Sequence, residues 1–200
     1  MSGTLGHRKI CVVDDSTDDG LGLASSVRKT LGAMADSACN IAVRGGDSDF
    51  EAVVTQIMSA GPDAVFFAGG APTAAPLARQ LRDGGFGGAF VSVNGPRAGE
   101  FVDHAGNAAR DAVLSCPCAP APPEGVEEYT NIFGTAPGPY AVEGYDLGTI
   151  LLKGIDSGAI TRPALLDYVR NYDGQGIGRR YRWTADGELE SPPIRNYHVQ

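Results

Sequence analysis

The sequence predicts an α/β protein: a doubly wound parallel sheet followed by appended helices and a C-terminal β-hairpin. Two observations carry this. Over residues 9–118, short apolar β-rich runs alternate with segments whose apolar residues recur at helical spacing. Around residues 116–124 the run Pro-Cys-Ala-Pro-Ala-Pro-Pro ends that alternation. A β-α-β-α order calls for parallel strands, because a parallel pair needs a crossover of helical length.

The first strand is the short apolar run at residues 9–13. Leu23, Val27, Leu31 and Met34 then follow at helical intervals, and residues 39–43 read as the second strand. Ser48-Asp-Phe-Glu51 is a capping box, in which hydroxyl and carboxylate satisfy orphan amides. The helix it opens places Phe50, Val53, Val54, Ile57 and Met58 on one face. Residues 63–67 are the third strand, ending at Gly69-Gly70. Leu77, Ala78 and Leu81 mark the third helix, which Gly84-Gly85 terminates. A fourth strand (89–93), a short helix (98–104) and a fifth strand (112–115) complete the alternation.

After the prolines the pattern is helical at 126–133, 140–155 and 163–169, the last with Thr161 as cap and Pro163 in its first turn. The tail, 176–200, contains Arg180-Tyr-Arg-Trp, the turn Ala185-Asp-Gly187 and a closing segment at 194–199, which is β-hairpin material. There is no repeat of solenoid period.

Composition narrows the function. The chain has 200 residues, 42% hydrophobic and 20% charged, with a formal net charge of -8. Nucleic acid and anionic membrane are thereby disfavoured as partners, since phosphate binding needs concentrated Lys and Arg. The densest basic group (Arg179, Arg180, Arg182) is too short for such a stripe. No apolar run approaches the roughly 20 residues that cross a bilayer. The first nine residues lack a signal peptide's apolar core, so the expectation is a cytoplasmic chain or a targeting segment outside this sequence. Four cysteines (Cys11, Cys39, Cys116, Cys118) leave the compartment and their own pairing open.

No phosphate-binding P-loop, serine nucleophile elbow or zinc spacing is present, and neither catalytic residue, metal nor cofactor is expected. Gly20-Leu-Gly22 opens like a dinucleotide fingerprint, but Ser25 stands where its third glycine belongs. Asp14-Asp15 after a short strand is similar to the acidic pair of a response-regulator receiver. Such a domain carries its phosphoacceptor aspartate at the end of the third strand, where this sequence has Phe66-Phe67-Ala68-Gly69. That other-class reading, receiver-like or flavodoxin-like, fails on its nucleophile.

Six ordered blocks resemble the branched-chain amino-acid (Leu/Ile/Val) receptor family of type I periplasmic solute-binding proteins, without its first lobe. They are Val13-Asp-Asp-Ser-Thr-Asp-Asp-Gly-Leu-Gly-Leu-Ala24; Gly46-Asp-Ser-Asp-Phe50; and Pro62-Asp-Ala-Val-Phe-Phe-Ala-Gly-Gly70 with Leu77-Ala-Arg-Gln80. Then come Phe101-Val-Asp-His-Ala-Gly106; Pro139-Tyr-Ala141 with Gly144-Tyr-Asp146; and Gly176-Ile-Gly178 with Trp183-Thr-Ala-Asp-Gly187. The resemblance implies a periplasmic-binding-protein-like, Rossmann-like clamshell that closes on a small polar ligand. It also implies four stretches: a tail (1–8), the second α/β lobe (9–118), a helical segment that packs on the first lobe (119–173) and a returning β segment (174–200).

The implied role is solute binding for an ABC importer of amino acids or related small polar molecules, with a ligand-sensing or regulatory domain as the alternative. The implied partners are that ligand, an ABC permease, and a homodimer or swapped assembly through the 126–169 helices, whose faces would be partly uncovered. The implied location is periplasmic or extracellular. The ligand-binding positions carried over are Asp19, Gly70, Ala71 and Asn94. Asp19 and Ala71 stand where the family has aromatics. Asn94 stands at its ammonium-pairing acid and offers a neutral carbonyl instead.

Alternative readings accompany several residues. Asp14, Asp15, Asp18 and Asp19 read first as a solvated acidic loop favourably placed at a helix N-terminus, and otherwise as a cation site or ligand contacts. Cys116-Pro-Cys118 reads as small residues at a strand end rather than a redox or metal pair. Asn94 is either a ligand contact or the turn residue before Gly95. Tyr181 and Trp183 read as packing along a strand.

Overall fold

The computed structural model describes residues 6–93, 98–190 and 194–200. The chain divides into two compact units, Met1–Cys116 with Arg195–Gln200, and Pro117–Ile194.

The first unit is the α/β domain. Its elements are β1 (Ile10–Asp14), α1 (Asp18–Leu31), β2 (Ala35–Ala42), α2 (Glu51–Ala60), β3 (Ala64–Ala68), α3 (Ala71–Asp83), β4 (Ala89–Ser92), α4 (Ala98–Ala105), β5 (Val113–Cys116) and β8 (Arg195–His198). Six strands form one sheet in the order β2-β1-β3-β4-β5-β8, all parallel except β8, which runs antiparallel to β5. The doubly wound parallel sheet expected from the alternation is the one observed.

Side chains alternate across the sheet, as a pleated strand requires. Cys11, Val13, Val65, Phe67, Phe90 and Leu114 enter one core with Phe50, Ile57, Leu77, Leu81 and Phe101. Ile10, Val12, Ala64, Phe66, Val91 and Val113 enter the other, which Ala24, Leu23, Val27 and Leu31 of α1 cover. Both β1 and β3 are buried at every position, so β3 and β1 up to Asp14 read as unbroken apolar runs rather than alternating ones. Edge strand β8 is exposed along its length and polar, which discourages further strand pairing.

Several local expectations are corrected. The second strand begins at Ala35, four residues early, because pairing with β1 extends it. Met34 lies in a 3₁₀ turn after α1, and Met58 is exposed rather than on the buried face of α2. The capping box does not form: Phe50, whose own side chain makes no cap bond, is the N-cap of α2, and Asp49 accepts from the Glu51 amide at 3.2 Å. Instead Gln80, from α3, accepts from the Phe50 amide at 2.7 Å and donates to the Ser48 carbonyl at 2.7 Å. A distant amide group has taken over the capping work, which leaves the Phe50 ring free to enter the core. Cys11 and Cys39 form a disulfide between neighbouring strands, with Cα atoms 5.2 Å apart. Cys116 and Cys118 are also disulfide-bonded, so no cysteine is free.

The second unit carries α5 (Pro123–Phe133), α6 (Ala141–Asp156), α7 (Arg162–Arg170) and the antiparallel pair β6 (Asp173–Gln175) and β7 (Arg180–Arg182). Helix α5 starts three residues before the expected 126, since Pro123 fits a first helical turn that needs no amide donor. Thr161 caps α7 as expected, accepting from the Ala164 amide at 3.4 Å. Gly154 of α6 lets α7 approach closely: a Cβ there would stand 2.7 Å from both Leu165 and Tyr168. The tail splits. Its first part forms the β6–β7 hairpin and the Trp183–Leu189 bridge, and its last strand is the β8 of the large sheet.

Candidate functional site

The strand order of the first unit reverses between β1 and β3: the chain winds outward to β2 in one direction and to β4 and β5 in the other. Open α/β sheets bind ligands in the crevice at the carboxyl ends of the strands that flank such a reversal. Here that crevice is framed by the β1–α1 loop, residues 15–17, and the β3–α3 loop, residues 69–70.

Each loop follows from its residues. Thr17 caps α1, its hydroxyl accepting from the Gly20 amide at 3.0 Å, and Asp18 and Asp19 occupy the first turn, where the helix dipole favours negative charge. Ser16 turns the chain with a φ of 59° and donates its hydroxyl to the Val43 carbonyl at 2.7 Å. In the other loop Gly70 is the N-cap of α3, and its carbonyl accepts from the Thr73 and Ala74 amides.

Two buried carboxylates hold this edge. Asp14 pairs with Arg28 at 3.0 Å and accepts from the Ser16 amide. Asp15 reaches across from β1 to the β3 loop. One of its oxygens accepts from the Thr17 amide and hydroxyl (3.2 and 2.6 Å), and the other from the Gly70 amide at 3.0 Å. Its own amide donates to the Ala68 carbonyl. The solvated-loop reading is therefore corrected for Asp14 and Asp15, which are almost fully buried, and holds for Asp18 and Asp19, which are exposed. Among the described residues no His, Cys, Asp and Glu cluster is arranged to hold a metal.

Of the sequence-predicted positions, Asp19 lies exposed in the first turn of α1. Gly70 is exposed at the start of α3, and Ala71 beside it is buried. The structure brings the loops bearing these three together at the ends of paired strands. Asn94 lies outside the described residues. Sequence reasoning missed Asp15 as the link between the loops, because its partner Gly70 is 55 residues away and no local spacing marks the contact.

The second unit has its own polar cluster. Asp146 accepts from the Ile177 and Gly178 amides at 2.7 and 3.2 Å, and a Cβ on Gly176 would strike its carboxylate. Buried Arg179 donates to the Pro117 carbonyl and to Glu143, both at 2.6 Å. Burial, then nearby Asp146, pushes the Tyr181 hydroxyl well above the ordinary tyrosine range. Arg180 and Arg182 pair with Asp173 and Glu190, so each member of the basic group has its own acid. An apolar groove of about 550 Å³, lined by Pro122, Tyr129, Ile132, Phe133 and Tyr145, runs along α5 and α6.

Comparison with known proteins agrees with this architecture. The family model described as periplasmic binding protein matches residues 1–197. An amino acid binding protein of Pseudomonas aeruginosa is 26% identical over 190 residues, which are 92% of this chain and 51% of that protein. The chain thus spans about half the length of that relative. Among solved structures, the leucine binding protein LivK of Thermotoga maritima superposes with a TM-score of 0.79 at 23% identity, over 98% of this chain and 61% of that one. LivJ of Streptococcus pneumoniae, in complex with isoleucine, gives 0.76 at 19% identity, over 99% and 62%. At these identities the likeness establishes the fold.

Proposed function

The chain belongs to the periplasmic binding protein family, and we propose that it is a solute-recognising component of an ABC importer for amino acids or related small polar molecules. The observation that carries this reading is the edge at the β1–β3 reversal, where two loops are tied side by side in a chain whose family binds solutes. In this reading Asp19 and Gly70 face one half of a ligand cleft, Ala71 lies buried beside Gly70, and Asn94 is the fourth position carried over to that half. Asn94 and Asp19 bias it towards polar groups and away from a bare aliphatic side chain. The role is recognition without turnover, and specificity resides in the cleft.

The working compartment in this proposal is the periplasm or the cell exterior, which the Cys11–Cys39 disulfide supports because such bridges persist in oxidising surroundings. No helix among the described residues is long and apolar enough to cross a membrane. The transport partner in this proposal is an ABC permease. The apolar faces of α5, α6 and α7 supply a surface for pairing two copies through the 126–169 helices.

A thermal-shift screen with amino acids, carboxamides and aromatic acids tests the reading. Stabilisation by one chemical class is the expected outcome. Turnover of a bound compound, phosphorylation by acetyl phosphate, or no response to any class would contradict it.

A further inference from the structure

We propose that Asp15 is the positioning residue of the ligand-facing edge, clamping the β1–α1 and β3–α3 loops so that they open and close as one. This rests on reading that edge as the one that meets the solute. The argument begins with sterics. Gly20 and Gly69 come from different helix-strand units, yet both close on the same side chain. A Cβ on Gly20 would lie 2.3 Å from one Asp15 oxygen, and a Cβ on Gly69 2.6 Å from the other. Neither glycine has the left-handed backbone that would otherwise explain it. The Asp15 side chain fills the space a Cβ on Gly69 would need, and at Gly20 that carboxylate and the Ala68 carbonyl together fill it.

Hydrogen bonding completes the clamp. Three donors converge on the two oxygens: the Thr17 amide and hydroxyl from one loop and the Gly70 amide from the other. A carboxylate is an acceptor at both oxygens, and no neutral side chain of the same shape is. Thr17 also caps α1 and Gly70 caps α3, so the same carboxylate sets the first turn of both helices. Asp15 is almost fully buried and so contacts no solute itself. It acts through Asp19, two residues past Thr17, and through Gly70, both of which are exposed. Fixing both loops before the solute arrives spares the binding step their ordering cost.

The test is amide hydrogen exchange on the full chain, comparing wild type with Asp15→Asn and Gly69→Ala. Asparagine keeps the shape but turns one acceptor into a donor; alanine keeps the carboxylate but displaces it. Both variants should exchange at least tenfold faster at residues 16–20 and 69–73 together, with the β1 and β3 amides unchanged. A uniform rise across the whole unit would reduce Asp15 to a general stability residue, and no change, or a change in one loop only, would overturn the clamp. Calorimetric titration with L-leucine, L-glutamine and acetamide then separates the two readings. If none binds wild type, importer recognition of these classes fails while the exchange result still decides the clamp. If one binds, Asp15→Asn should weaken it about tenfold; unchanged affinity with opened loops would sink the positioning role.

Discussion

In the first unit the central strands are covered on both faces, and Phe67, Phe90, Leu77 and Leu114 are sealed from water. In the second unit, α5 and α7 bury no residue at all, and Ile132, Phe133, Leu152 and Ile160 are 62–79% exposed. Both regions are made of amphipathic segments, and each has one helix capped by a threonine, Thr17 and Thr161, so local propensity does not separate them. What separates them is cover: an amphipathic helix draws most of its stability from the surface its apolar face meets. The first unit supplies that surface from its own sheet. The second is held by polar and close-packed contacts instead: Asp146 with the 176–178 loop, Arg179 with Glu143, Gly154 under α7, and the aromatic row Tyr168, Tyr172, Trp183, Tyr181.

The sharpest way to break this contrast is to truncate matched apolar side chains. Phe67→Ala should cost about 3–5 kcal/mol in urea denaturation, since it empties a closed core, whereas Ile160→Ala should stay within about 0.5 kcal/mol. Equal losses would mean that the second unit is covered in solution. Removing the Cys11–Cys39 bridge comes next. A crosslink closing this 28-residue separation restricts the unfolded chain by about 3.5 kcal/mol, so a reductant should lower the unfolding midpoint of the first unit. No shift under reducing agent would show that the bridge does not form.

Gly154→Ala tests the second unit's close packing. An exposed helix would gain up to about 1 kcal/mol from the change, but the Leu165 and Tyr168 contacts should turn it into a loss of about 1–3 kcal/mol. The smallest effect is alkaline. The Tyr181 hydroxyl is held above its ordinary value of about 10, so its contribution is present below that pH and is lost as pH rises towards the folded-state value. Ultraviolet titration should show one phenol ionising late, and Tyr181→Phe should remove that step.

The sheet was legible because its central strands are short apolar runs with a turn behind each, and their alternation with helical segments admits little else. The edge at β1–β3 was half legible. Asp19, Gly70 and Ala71 could be placed by motif, but a carboxylate that receives donors from a loop 55 residues away looks, in sequence, like any acid before a helix. Gln80 capping α2 and Cys11 pairing with Cys39 escaped for the same reason. Each partner becomes a neighbour only after the parallel strands are in register, and local spacing carries no record of that. Asp146 and its glycine loop fall in separate blocks of one family pattern; their contact across 31 residues is what joins them.

Ligand-dependent hydrogen exchange tests the central claim most directly. With a compound that raises the melting temperature, added protection should appear at residues 16–20 and 69–73. Protection confined to the apolar groove of α5 and α6, with those loops unchanged, would contradict the account.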